Sequence, residues 1–155
     1  MVSHLDKKNN PIMVDVISKN ITHRTAEAAG EVVFDKTTFK KIETLKSKKG
    51  SIINVAIIAG IMGAKETSRL IPLCHNIPID SVNVKITKNA KKNSFNIKAE
   101  VKTSSKTGVE MEALTAVSVS CLTIYDMCKY LNKSIKIKNI KLISKKGGKS
   151  GNFQA

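Results

Sequence analysis

A chain of 155 residues, 41% of them hydrophobic, is long enough to bury one ordinary core and too short for two substantial domains. Its 27 basic residues against 12 acidic ones leave a net charge of +15, nearly all of it lysine, with arginine only at Arg24 and Arg69. Such a surface is either simply solvated or meets a polyanion; aromatic residues make up 4% and tryptophan is absent, so base-stacking platforms are scarce and any polyanion is a small phosphorylated ligand before nucleic acid.

No apolar run reaches the roughly 18 residues that a membrane helix requires, because Lys, Asn, Ser or Gly interrupts every candidate. Residues 1–10 are polar and carry no apolar signal core. A soluble cytoplasmic protein without membrane contact is expected. The three cysteines, Cys74, Cys121 and Cys128, fit reduced thiols: the last two would lie two helical turns, about 10 Å, apart, too far for a disulfide. They contain no CxxC pair, and His4, His23 and His75 form no ligand spacing, so no metal site is expected.

Along the chain, residues 1–12 read as a flexible arm and residues 13–155 as one domain. Met13-Val14-Asp15-Val16 and the alternating stretch through Val32-Val33-Phe34 predict extended structure. Thr37-Thr38 can cap a short helix to about Leu45, followed by the basic loop Lys46-Ser47-Lys48-Lys49-Gly50. Ser51 to Leu70 is apolar on most sides, which predicts a buried helix whose Gly60 and Gly63 permit close packing. Pro72 and Pro78 then fix a loop around Leu73-Cys74-His75. Two alternating runs, Val82 to Thr87 and Phe95 to Val101, predict an antiparallel hairpin; Val109 to about Leu131 predicts a second long helix, and Ile135 to Ile143 a last strand before a Lys/Gly-rich tail. The pattern is α+β, an antiparallel sheet backed by two long helices.

The second long helix carries the densest chemistry. At 100° per residue Asp126 falls about 40° from Glu112, and Lys129 about 60° further round, so one stripe holds all three. Such a stripe either faces water or serves a site, and Val119, Leu122 and Thr123 around it are not residues of a solvated face. Asp126 and Lys129, three residues apart, can form an acid/base or purely structural ion pair. Glu112 and Asp126 lie about 21 Å apart along the axis, so they serve opposite ends of a long ligand or different subunits. His75 can donate to a ligand or simply hold its loop; nothing local depresses the thiol pKa of Cys74. The tail Gly147-Gly148-Lys149-Ser150-Gly151 offers lysines and backbone amides to phosphate, but it is not a Walker loop, because Ile143 stands where the first glycine is required and no helix follows.

Several blocks, in order, resemble the MoaC family: Met13-Val14-Asp15-Val16, the Ala-Ile-Ile-Ala-Gly-Ile run from Ala56, Leu70 to His75, Lys106 to Ala116, Leu122 to Lys129, and Gly147 to Gly151. The resemblance implies a ferredoxin-like fold, a homohexamer arranged as a trimer of dimers with sites at subunit interfaces, and no cofactor. It implies conversion of 3′,8-cyclo-dihydro-GTP, supplied by the radical-SAM enzyme MoaA, to cyclic pyranopterin monophosphate and pyrophosphate. Carried over by position, Asp126, Lys49 and Lys129 are the catalytic residues. Leu73, Cys74, His75, Glu110, Met111, Glu112, Lys145 and Lys149 are the substrate-binding ones. One departure stands before the Leu-Ile-Pro block, where related sequences commonly have a basic residue at the position of Glu66 and an acidic one at that of Arg69; the charges are exchanged here. Two other classes compete with the enzyme reading: a basic nucleic-acid-binding module, which explains the charge but not the acids of the second helix, and an accessory subunit that only holds a product.

Overall fold

A computed structural model of the chain describes residues 4–44, 51–149 and 151–155. Strand β1 (Thr22–Val33) is followed by helices α1 (Lys36–Thr44), α2 (Ile52–Lys65) and α3 (Thr67–Leu70), the hairpin β2 (Ser81–Asn89) and β3 (Ser94–Ser105), helix α4 (Glu110–Cys128), and strands β4 (Lys136–Lys146) and β5 (Phe153–Gln154). The sheet runs β2-β3-β1-β4-β5, and every neighbouring pair is antiparallel. A βαββαβ succession with β1 between β3 and β4 is the ferredoxin-like arrangement that the family resemblance implied, extended at one edge by β5.

The packing follows from side-chain size. On β1 the alternate residues Ala26, Ala28, Gly30 and Val32 are all buried beneath α4, and a Cβ on Gly30 would stand 2.7 Å from the Val117 side chain. Small residues on this central strand let α4 lie close against the sheet. Helix α2 then packs on α4 through Gly60 and Gly63, with Ser120 Oγ donating to the Ala56 carbonyl at 2.9 Å. Phe34, Phe39 and Phe95, with ring centroids 5.3 to 6.1 Å apart, close the end of the core under α1.

Several expectations are corrected. Helix α1 is capped by Asp35, not by Thr37 or Thr38: its carboxylate accepts from Thr38 N at 2.9 Å and from Thr38 Oγ1, and these bonds hold its pKa down to about 2. The helix expected over Ser51–Leu70 breaks at Glu66, whose N–H is shared between the carbonyls of Met62 and Gly63, while Thr67 Oγ1 returns to Ala64 O at 2.9 Å. Met13–Val16 form no strand: the Val14 carbonyl meets the His75 ring, Val16 O accepts from Lys19 N in a local turn, and Asp15 Oδ1 accepts from Ile17 N. The tail folds back: Gly147 and Gly148, at φ of 87° and 81°, reverse the chain so that Phe153 pairs with Lys145 and Gln154 with Ser144. Helix α4, at 19 residues, is long and apolar enough by composition to cross a membrane, contrary to the run count, but 56% of that span is buried within this fold.

Candidate active site

A cavity of about 400 Å³ opens at the N-terminal end of α4. One wall is the helix's first turn, with Glu110, Met111 and Glu112, entered through Thr107 and Gly108. A second is the proline-bounded loop with Leu73, Cys74 and His75. The third comes from the N-terminal segment: His4, Val14, Val16 and Lys19.

The loop wall and the helix wall hold different chemistry. Glu112 is 4% exposed, and burial first, with the nearby negative charge of Glu110 adding to it, pushes its pKa up to about 7. Near neutrality it is therefore divided between a neutral acid, which can donate, and a carboxylate, which accepts. The Cys74 thiol is raised by burial and by the charge of Glu112, which keeps it protonated and argues against a nucleophile. The ring of His75 stands 2.7 Å from the Val14 carbonyl oxygen through Nε2. A carbonyl can only accept, so Nε2 carries the proton and the donor that the sequence offered to a ligand already holds the N-terminal segment. In the neutral ring Nδ1 remains as an acceptor.

Glu110 bridges to Lys145 at 3.2 Å. Lys145 reaches it because it pairs with Ala26, whose side chain faces the helices, and directly paired residues share a face. Main-chain carbonyls of the preceding turn are pinned by Arg24, whose Nε donates to Ser105 O and Nη2 to Lys106 O, both at 3.1 Å. Lys106 Nζ in turn donates to Ile17 O at 2.8 Å, a second tie to the N-terminal segment.

The structure thus gathers Leu73, Cys74, His75, Glu110, Met111 and Glu112 around one cavity, with Lys145 bonded to its rim. Asp126 and Lys129 are elsewhere, paired at 2.7 Å at the far end of α4 with side chains 64% and 53% exposed. The single stripe seen in the sequence is therefore divided: buried at Glu112, open at Asp126. The bond to Asp126 raises the Lys129 pKa. Lys149 is exposed on the tail hairpin, and Lys49 lies outside the described residues. Arg69 is exposed and bridges Glu66 at 3.2 Å, so the exchanged charges pair with each other. Among the described residues no three His, Cys, Asp or Glu side chains converge as a metal site.

Sequence reasoning missed the third wall. His4 and Lys19 sit in a segment that offers no periodicity, and their placement depends on ties to His75 and Lys106, distant in the chain. One signal was present: Asp6 followed by Asn9-Asn10-Pro11 is turn chemistry, and Asp6 Oδ1 accepts from the amides of Lys8 and Asn10 at 2.7 and 2.8 Å.

The fold and the cavity define an α+β protein of ferredoxin-like topology, with a cavity lined by acids and by basic side chains at the start of its second long helix. The model described as MoaC family matches residues 13–148, and the chain belongs to that family. A protein of Campylobacter lari named cyclic pyranopterin monophosphate synthase is 52% identical over 152 residues, covering 98% of this chain and 97% of its own length. One of the same name from Helicobacter hepaticus is 51% identical with 98% and 96% covered, and one from Helicobacter pylori is 47% identical over 154 residues with 99% and 98% covered.

Proposed function

We propose that this chain is a cyclic pyranopterin monophosphate synthase, a lyase of molybdenum cofactor biosynthesis that converts 3′,8-cyclo-dihydro-GTP to cyclic pyranopterin monophosphate with loss of pyrophosphate. The observation that carries the reading is the convergence of the Leu73-Cys74-His75 loop and the Glu110-Met111-Glu112 turn on one cavity, in a chain about half identical to proteins of that name. Opening and rebuilding a purine ring requires repeated proton transfers, and a carboxyl whose pKa is about 7, as at Glu112, is suited to both directions. Departure of pyrophosphate requires fixed positive charge, which lysines provide. Asp126, Lys49 and Lys129 are assigned the catalytic steps, and Leu73, Cys74, His75, Glu110, Met111, Glu112, Lys145 and Lys149 the binding of substrate.

Glu112 and Asp126 are about 21 Å apart along α4, more than a single reacting centre spans. Of the two arrangements that separation allows, one long ligand or two subunits, the proposal takes the second, with Asp126 and Lys129 brought to the cavity by a second copy; Ile58 and Met62 on α2 with Leu122 on α4, each 58 to 60% exposed, offer an apolar surface for it. The assembly is proposed to be a homohexamer, a trimer of dimers, located in the cytoplasm; free Cys74, Cys121 and Cys128 fit a reducing compartment. The test is incubation of the purified protein with the cyclised GTP, following pyrophosphate and the fluorescent oxidised pterin. Turnover by the parent and none by a folded Asp126→Ala variant supports the reading; unchanged substrate with the parent overturns it.

A further inference from the structure

Residues 4–19 are fastened to one another and to the rest of the fold at several points. Asp6 closes a tight turn by accepting from the amides of Lys8 and Asn10 and from Asn10 Nδ2, Leu5 pairs with Pro11, and Ile12 N donates to His4 O at 3.0 Å. Beyond the turn the chain is fastened twice more, at Val14 by His75 and at Ile17 by Lys106. These bonds place both His4 and Lys19, at the two ends of the segment, in the lining of the cavity.

The cavity is polarised by that placement. Its helix wall carries Glu110, bridged to Lys145 at 3.2 Å, and Glu112; its N-terminal wall carries His4 and Lys19. A ligand with a donor-rich heterocycle at one end and phosphate at the other is complemented by the acids of the helix wall and by His4 and Lys19 of the N-terminal wall.

We propose that His4 is a further substrate-binding residue, which, with Lys19, receives a phosphate group of a nucleotide-like substrate, and that Asp6 is a positioning residue acting through the turn that presents it. The substrate class rests on the function proposed above; the anion-binding wall does not. Because His4 is exposed and outside the core, its replacement leaves the fold intact.

Two readouts separate the inferences. In turnover of the cyclised GTP, His4→Ala is expected to raise KM about tenfold, the loss of one charge-assisted hydrogen bond, with kcat changed less than threefold; Asp6→Ala raises KM in the same direction by less. Calorimetric binding of GTP, which carries the guanine and the triphosphate, is expected to weaken about tenfold in His4→Ala while Lys91→Ala, in the distant β2–β3 turn, binds like the parent. An active parent with KM and GTP affinity unchanged by His4→Ala overturns the assignment, as does a parent that binds no GTP. A parent that binds GTP through His4 but never turns over the cyclised substrate overturns the synthase reading and leaves the anion wall standing.

Discussion

The imidazole of His75 donates from Nε2 to the main-chain carbonyl of Val14 at 2.7 Å, joining the proline-bounded loop to a segment 61 residues earlier. His75→Ala is expected to free residues 12–17, seen as faster amide exchange there with unchanged exchange in α4, and to lower kcat/KM at least tenfold. Gln can place an N–H in the same position, so His75→Gln should restore most of the exchange protection. Equal protection in the parent and the Ala variant would show that this bond does not hold the segment.

Glu112 makes stability depend on pH in a definite direction. Its pKa rises from 4.5 in the unfolded chain to about 7 in the fold. Below pH 4.5 both states are protonated and nothing is lost; between 4.5 and 7 the unfolded chain releases its proton first, so stability falls as pH rises; above 7 the full penalty remains. Glu112→Gln removes the charge, so it should gain about 1 to 2 kcal/mol relative to the parent at pH 8 and nothing at pH 4, allowing for the open cavity beside it. Urea midpoints of the two proteins at both pH values measure this, and a gain of equal size at both pH values would assign it to packing instead of charge.

The parts legible in the sequence were those whose partners are local or repeat with a period. Val84 and Ile86 alternate, as do Ile97, Ala99 and Val101, and each run forms half of the hairpin. The site loop and the first turn of α4 were legible because motif residues cluster there. The division between Glu112 and Asp126 was not, because an angular stripe says nothing of what covers each end of a helix: the first turn of α4 lines a cavity with loop 73–75 and the N-terminal segment, while Asp126 remains exposed. Val14 and Val16 imitate a strand by alternating, yet the segment is fastened by side chains 61 and 89 positions away.

Gly60 and Ser120 meet where α2 crosses α4. A Cβ on Gly60 would collide with Ser120 Oγ and stand 2.9 Å from the Ala116 carbonyl oxygen. Gly60→Ala should therefore cost about 2 to 3 kcal/mol despite the better helix propensity of alanine. Ser120→Ala removes the colliding oxygen and leaves the carbonyl, so the double variant should recover part of the loss, a coupling visible in a thermodynamic cycle from urea unfolding. Strict additivity would mean that the helices separate rather than press on that hydroxyl.

Gly147 begins the turn that brings β5 back to β4, and it is constrained twice. Its φ of 87° is left-handed, and a Cβ there would strike the His23 carbonyl oxygen. Gly151 shares the first constraint, at φ 73°, but nothing lies within 4 Å of its Cβ position. Gly151→Ala should thus show only the conformational penalty, about 1 kcal/mol, whereas Gly147→Ala should cost about 2 to 3 kcal/mol. The larger loss should also displace Lys145, which pairs with Phe153 and bridges Glu110, so KM should rise in the Gly147 variant and not in the Gly151 variant. Thermal unfolding beside steady-state kinetics distinguishes the two; equal destabilisation would show that left-handed strain alone governs the turn and that the approach to His23 is relieved without cost.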